Sequence, residues 1–382
     1  MQPSAVIKFA EPGASRARSS VLVFATQGTG HGDETRILEL LQNLHARVFA
    51  FDRSSKIKTG LRLFSLINGR RPDLVVMEGT GFSGGAALML SKLATGVPYV
   101  FSSGDAISPF LSARLPLLKP LFWLYEKLLC RFSSGFIGWT PYLVGRALTL
   151  GAPRAMTAAG WAPFSKTAAE ITSARCQIRA KLGIPDDAIV FGIVGTLDWN
   201  RRVQYCYGVE LVKAVVRASR GDVRVLIVGE GAGRSRLEAL AGKHAGSTVI
   251  FTGRATKSEV PDYLAAMDVV SLPQSVDRIG SFRYTTKLSE YLAAGLPVVT
   301  GQIPLSYDVD GQWLWRLPGR APWSDSYIDA LAKLMKSVNQ DEIQRKASFV
   351  PKNSPLFERD DQVNRVTAFL FDILAERSAI RD

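Results

Sequence analysis

Apolar residues in this chain come in short blocks of Val, Ile, Leu and Phe, most of them ending in a glycine or an acid. Between the blocks lie longer stretches whose apolar positions recur at helical spacing. The run SVLVFATQG predicts a buried strand with a glycine-rich exit, GTGHG, and DETRILELLQNL predicts the helix that follows. ARVFAFD and PDLVVMEG read as further strands, AALMLSKLATG as a helix, and VPYVFSSGD as the strand it leads into. Strands and helices alternating at these lengths predict parallel sheets with right-handed crossovers. In such an α/β fold, ligands bind beyond the carboxyl ends of the strands.

The alternation pauses between Trp161 and Asp187, a polar stretch with Pro163 and Pro185, and restarts at AIVFGIVGTL. VRVLIVGEG, STVIFTGR, MDVVSLPQS and LPVVTG then repeat the theme. Two α/β domains in tandem are expected, 21–165 and 188–355, joined by a linker at 166–187. A flexible N-terminus, 1–20, precedes them, and a segment at 356–382 carries a final helix, roughly 357–375, placed to pack back towards the first domain. The length of 382 residues agrees, since single cores stop growing at about 300 residues.

A formal charge of +13 points to an acidic partner: a phosphorylated ligand, an anionic membrane or nucleic acid. Nucleic acid fits least, because no binding motif accompanies the charge and the arginines are spread along the chain. Cys130, Cys176 and Cys206 are an odd set at unrelated spacings, so neither a disulfide framework nor a zinc site is expected, and a cytoplasmic setting fits. The N-terminal residues lack the apolar core of a secretory leader, and no apolar run reaches the length of a membrane span. One segment keeps a membrane surface in view. SARLPLLKPLFWLYEKLLCRF, 112–132, mixes leucines and aromatics with Arg114, Lys119, Lys127 and Arg131, and fits either a core helix or a peripheral contact with an anionic bilayer at the inner face of the plasma membrane.

Gly28, Gly30 and Gly32 lie between the first strand and a helix N-terminus, where free N–H groups favour a phosphate or the approach of an acceptor. GTGHGDET is neither a P-loop nor a dinucleotide fingerprint, although Asp52 ends the second strand as a ribose-binding acid does. His31 alone among the three histidines stands in this loop, where it can orient an acceptor or donate to a phosphate. In the second half, FGIVGTLDWNRR brings Arg201 and Arg202 out after Gly195, and YTTKLSEYLAAGLPVVT reads as a helix capped by Thr286 and stopped by Gly295 and Pro297. Lys287 and Glu290 share one face of its first turn. Taken alone, they are either an exposed ion pair or a ligand site.

The order of GIVGTLDWNRR, VRVLIVGEGAGRSRLEAL, VIFTGRATKSEVPDYLAAMDVVSLPQS and YTTKLSEYLAAGLPVVTG, within 189–301, resembles the nucleotide-binding half of the family-4 glycosyltransferases. That resemblance implies the GT-B fold, two Rossmann-like parallel-sheet domains facing each other across a cleft. It also implies a retaining transfer from a nucleotide sugar to a glycan or lipid-linked acceptor in envelope or polysaccharide synthesis, with no metal and no cofactor. Residue by residue, Glu290 resembles the acid that holds the donor ribose, Lys287 a residue near the diphosphate, and Arg201 a diphosphate ligand. Gly195, backbone N–H groups from Gly280 and Ser281 to Thr286, and the segment ending in Arg254 complete the expected donor site. The chain departs from the family at Phe282, where many members have an acid, and at Gly104, where a histidine is common, leaving Asp105 as the polar candidate beside the reacting sugar. A non-catalytic or epimerase-type relative that binds a nucleotide sugar is the alternative.

Overall fold

The computed structural model describes residues 20–283, 286–309, 311–351 and 354–381, so the expected flexible N-terminus lies outside it apart from Ser20. Two six-stranded parallel sheets carry the fold. The first follows the order β2-β1-β3-β4-β5-β6, made of Val21–Ala25 (β1), Arg47–Val48 (β2), Leu74–Glu78 (β3), Tyr99–Ser103 (β4), Gly135–Gly138 (β5) and Ala155–Thr157 (β6). The second runs β12-β11-β10-β7-β8-β9, made of Ile189–Val194 (β7), Val223–Val228 (β8), Val249–Gly253 (β9), Val269–Leu272 (β10), Val298–Gly301 (β11) and Leu314–Leu317 (β12). Strands β1, β3, β4, β10 and β11 are buried along their whole length, which is why their sequences are mostly apolar rather than alternating.

The chain separates into two compact units: the described residues up to Val100 with those from Thr367 onward, and Phe101–Val366. In the first unit, the strand expected from ARVFAFD is reduced to two exposed edge residues, Arg47 and Val48, because His45 turns the chain through a left-handed conformation just before it. A buried ion pair, Arg36 Nη1 to Glu78 Oε2 at 2.9 Å, ties the helix Gly32–Leu40 to the end of β3. The end of the C-terminal helix, Arg359–Arg381, also belongs to this unit, with Arg377 donating to the carbonyls of Pro72 and Asp73.

In the second unit, the sheet switches direction at β7 and β10: β8 and β9 follow on one side, β11 and β12 on the other. A crevice is thereby left at the carboxyl ends of β7 and β10. Phe191 and Ile193 of β7 pack into one apolar layer with Val209, Val212 and Ile328. Val190 faces the opposite layer with Leu226, Val270 and Leu288.

The segment expected as a linker, 166–187, holds the helix Ala168–Leu182, opened by a reciprocal capping box between Thr167 and Glu170. This helix docks through two arginines beside the apolar Ala174, Ile178 and Leu182. Buried Arg179 donates to the carbonyls of Ala266, Pro185, Asp186 and Ala188 and pairs with Asp268 at 2.7 Å, and Arg175 takes the other Asp268 oxygen at 2.6 Å. Those bonds fix the entry to β10.

Candidate functional site

Loops at the carboxyl ends of β7, β8 and β9 are bound into one floor by their backbones. Gly195 N–H donates to the Val228 carbonyl at 2.9 Å, Leu197 N–H to Glu230 at 3.0 Å, Gly233 N–H to Leu197 at 2.7 Å, and Gly229 N–H to Gly253 at 2.9 Å. The approach requires glycine. A Cβ at Gly229 would stand 1.9 Å from the Gly195 carbonyl oxygen.

The helix Thr286–Ala293 rises beside this floor. Leu288, Tyr291 and Leu292 are buried in the core, and Tyr291 Oη donates to the Ser271 carbonyl at 3.0 Å. Ser271 Oγ in turn donates to Glu210 at 2.9 Å, and Tyr205 Oη takes the other Glu210 oxygen at 2.8 Å. With one face of the helix held, the other is set. Lys287 lies across Gly195, close enough that a Cβ there would meet its Nζ at 3.1 Å. Its ammonium stands 4.2 Å from the centroid of the Tyr207 ring.

Glu290, one turn along, is half-buried. Among the described residues nothing hydrogen-bonds its carboxylate, and burial raises its pKa above the usual 4.5, an effect that the charge of Lys287 opposes. A desolvated carboxylate without donors is an acceptor prepared for a ligand that brings hydroxyls. The structure therefore places Lys287, Glu290 and Gly195 around one crevice and adds Tyr207, which the sequence reading did not select.

Other expected residues stand differently. Of the amides from Gly280 to Thr286 that were expected to serve phosphates, those of Gly280 to Arg283 are engaged within their own turn, as is that of Ile279 before them. Ile279 and Gly280 donate to Asp277 Oδ1 at 2.7 and 2.8 Å, Ser281 to the Asp277 carbonyl, Phe282 to Ile279 and Arg283 to Gly280. Asp277 has taken the place of the anion, and these hydrogen bonds hold its carboxyl below its usual pKa although burial opposes them. Tyr284 and Thr285 lie outside the described residues, as does the Thr286 side chain, so the cap expected there is not described.

Arg201 is exposed in a turn closed by Asn200 and Tyr205, and no described contact joins it to Lys287 or Glu290. Arg254 is exposed too. It is Arg234, not Arg254, that covers Phe251, with its guanidinium 4.7 Å from the ring centroid and its side chain held by Glu230 and Glu238.

Asp105, at the end of β4, accepts from Arg283 Nε at 2.7 Å. It is thus a partner of the segment that leads into the Lys287 helix, not an unengaged acid. Gly104 before it has no room for the family's histidine, since a Cβ would meet the Trp139 ring at 2.7 Å. Phe282, at the position of the family's acid, packs under the Arg146 guanidinium at 5.6 Å, and its carbonyl accepts from Thr140 Oγ1 at 3.1 Å. Together these contacts clamp 282–283. Because Arg283 and Asp105 are only partly shielded, the pair contributes about 1 kcal/mol or less. Arg283→Ala and Asp105→Ala are each expected to weaken donor binding by about threefold, with the double variant no worse than either. Fully additive losses, measured by calorimetry, would mean that the pair does not act as one clamp.

In the first unit, Gly30 N–H donates to Glu34 Oε2 at 2.6 Å and Gly28 N–H to the Ala25 carbonyl at 3.1 Å. The two amides expected to meet a phosphate or acceptor are therefore occupied by the loop itself. His31 is the exposed N-cap residue of the helix Gly32–Leu40, and its side chain makes no capping bond. Asp52 accepts from the amide and the hydroxyl of Ser54 through the one oxygen Oδ1.

Residues 188–337 match the family described as glycosyl transferases group 1, and residues 13–159 match the glycosyl transferase 4-like domain. A GDP-mannose-dependent alpha-mannosyltransferase of Mycobacterium tuberculosis is 26% identical over 239 residues, a match spanning 62% of this chain and 57% of that relative's length. Among solved structures, the Anabaena protein HepE in complex with UDP superposes with a TM-score of 0.64 at 17% identity, covering 92% of this chain and 100% of that one. WaaG, a glycosyltransferase involved in lipopolysaccharide biosynthesis, superposes with a TM-score of 0.65 at 16% identity, covering 91% and 99%.

Proposed function

This chain belongs to the family-4-like glycosyltransferases of the GT-B fold, and we propose that it transfers a sugar, with retention of configuration, from a nucleotide sugar to a hydroxyl of a glycan or lipid-linked acceptor. The observation that carries this reading is Glu290: a half-buried carboxylate with no hydrogen-bond donor among the described residues, one helical turn from an ammonium that lies over a glycine floor. A ribose diol supplies the two missing donors, and a diphosphate supplies the negative charge that Lys287 faces.

In the proposed step, the bond between the anomeric carbon and the diphosphate oxygen breaks as the acceptor oxygen bonds that carbon from the same side. The acceptor proton passes to an oxygen of the departing diphosphate. Lys287 stabilises the charge that develops on the leaving group, and Arg201 joins it if its turn folds inward on donor binding. No step requires a metal. Asp105 and His31 remain the candidates for contacting the acceptor, Asp105 after exchanging Arg283 for substrate. The reading includes a role in building envelope or extracellular glycans, in line with WaaG, a structural neighbour involved in lipopolysaccharide biosynthesis.

The test is donor turnover across UDP- and GDP-linked sugars, with membrane lipids and glycans as acceptors, in the presence and absence of EDTA. One nucleotide sugar is expected to be consumed, with an axial or equatorial product linkage matching that of the donor. Tight donor binding without hydrolysis or transfer would instead favour the non-catalytic reading, which the occupied amides at 279–283 and the engaged Asp105 make specific.

A further inference from the structure

A buried polar cluster adjoins the crevice, and the proposed transfer makes no use of it. Glu210, in the first turn of the helix Val209–Ala218, is fully buried. Its two oxygens serve two different elements: Oε1 accepts from Ser271 Oγ of β10 at 2.9 Å, and Oε2 accepts from Tyr205 Oη at 2.8 Å. Burial pushes the carboxyl above its usual pKa of 4.5, and hydrogen bonds from its own backbone, Tyr205 and Ser271 oppose that shift. A carboxyl group so far from water depends on those partners, so both hydroxyls are fixed in place.

Each arm of Glu210 leads to a cation expected at the diphosphate. On one side, the Ser271 carbonyl accepts from Tyr291 Oη at 3.0 Å, and Tyr291 stands on the helix that carries Lys287 and Glu290. On the other, Tyr205 closes the turn that carries Arg201. Asn200 and Tyr205 exchange backbone bonds of 2.8 and 3.2 Å, Asn200 Oδ1 accepts from Arg202 N–H at 3.0 Å, and Gln204 Nε2 donates to the Arg201 carbonyl at 2.5 Å. Gln204 takes a left-handed φ of 51°, which keeps the turn tight. The Tyr205 ring packs on Trp323 with centroids 5.0 Å apart. The turn is therefore one piece, with a buried end at Tyr205 and an exposed end at Arg201.

We propose that, within the donor reading above, Glu210 is a positioning residue: through Tyr205 and Ser271 it sets the turn of Arg201 in register with the helix of Lys287 and Glu290, so that cations on two separate elements meet one diphosphate. Bidentate binding of a phosphate by arginine requires the guanidinium fork to arrive in a fixed orientation. The loop after β7 has no such reference on its exposed side. Glu210 supplies one from below, and the approach of Arg201 to the crevice pivots at Tyr205.

Truncating Glu210 would leave two hydroxyls unpaired in the core, so the test removes one arm instead. Tyr205→Phe keeps the ring against Trp323 and deletes only the hydroxyl. UDP and GDP are titrated by calorimetry into the parent, Tyr205→Phe, Arg201→Ala and the double variant. For a nucleotide that binds the parent, Arg201→Ala is expected to weaken binding about tenfold or more and Tyr205→Phe by a similar factor. The double variant should bind no more weakly than Arg201→Ala, because an unanchored Arg201 has nothing left to contribute. Loss of stability alone does not produce that pattern. Trypsin gives a second readout without nucleotide: cleavage after Arg201 or Arg202 should be several-fold faster in Tyr205→Phe than in the parent.

Parent-like affinity in either single variant overturns the proposal, as do losses that multiply fully in the double variant. Tryptic cleavage of Tyr205→Phe at the parent rate overturns it too, since the turn is then not anchored by that hydroxyl. A parent that binds neither nucleotide overturns the donor reading and the role of Glu210 together, whereas a parent that binds, with fully multiplied losses, overturns the role of Glu210 alone.

Discussion

Glu290→Ala is expected to weaken donor binding by at least about 100-fold while leaving the thermal midpoint unchanged or slightly raised. The magnitude follows from two hydroxyl donors to one carboxylate, each charge-assisted bond worth about 1.5 to 3 kcal/mol when its partner is desolvated. The stability half of the expectation follows from the free protein, where the carboxylate has no hydrogen-bond donor among the described residues and burial disfavours its charge. Removing it deletes a desolvation cost and no hydrogen bond.

The pH dependence has a definite sign. The folded-state pKa of Glu290 lies above 4.5, so the folded chain holds this proton more tightly than the unfolded chain does. Its contribution to stability therefore declines as pH rises from the unfolded pKa to the folded one, and is level beyond. Donor binding runs the opposite way, because a diol donates to the ionised form. Affinity should climb with pH through the raised pKa and then level off. Glu290→Gln should bind weakly at every pH and lose this slope. An unaltered donor affinity in Glu290→Ala, measured by calorimetry at neutral pH, would return Lys287 and Glu290 to an ordinary surface pair.

The juxtaposition of Lys287 and Glu290 on one helix was legible because both lie within one helical turn and their neighbours are strong helix formers with a glycine stop. The strands β10 and β11 were legible for a similarly local reason, being mostly apolar runs buried along their whole length. The clamp of Arg283 on Asp105 was not, since the partners are 178 positions apart and no periodicity announces a long-range ion pair. Asp277 hid the fate of the 279–283 amides in the same way: a turn that supplies its own anion reads, in one dimension, like a turn awaiting one. Gly104 looked like the loss of a catalytic group. The fold shows a packing constraint, with Trp139 occupying the space. The helix Ala168–Leu182 was passed over as linker because Arg175 and Arg179 interrupt its apolar docking face of Ala174, Ile178 and Leu182, although Thr167-Ala-Ala-Glu170 spelled a capping box.

Gly229→Ala is the second change expected to have a large effect, and it acts on the floor rather than on a ligand group. The added methyl would stand 1.9 Å from the Gly195 carbonyl oxygen, a backbone atom that no rotamer can move aside, and φ at this position is +152°. Overlap of that kind and an unfavourable φ each cost about 1 to 3 kcal/mol, so a loss of about 3 kcal/mol or more is expected. Relief can come only by separating the loop after β7 from the loop after β8, which lengthens the Gly195 to Val228 bond and moves the surface on which Lys287 lies. Stability and donor affinity should therefore fall together in this variant, whereas Glu290→Ala separates them. Gly221→Ala is the control: nothing lies within 4 Å of a Cβ there, and its thermal midpoint should stay close to that of the parent. If Gly229→Ala melts like the parent and binds donor equally well, the two loops are not in the contact that shapes the crevice, and the placement of Lys287 over Gly195 fails with it.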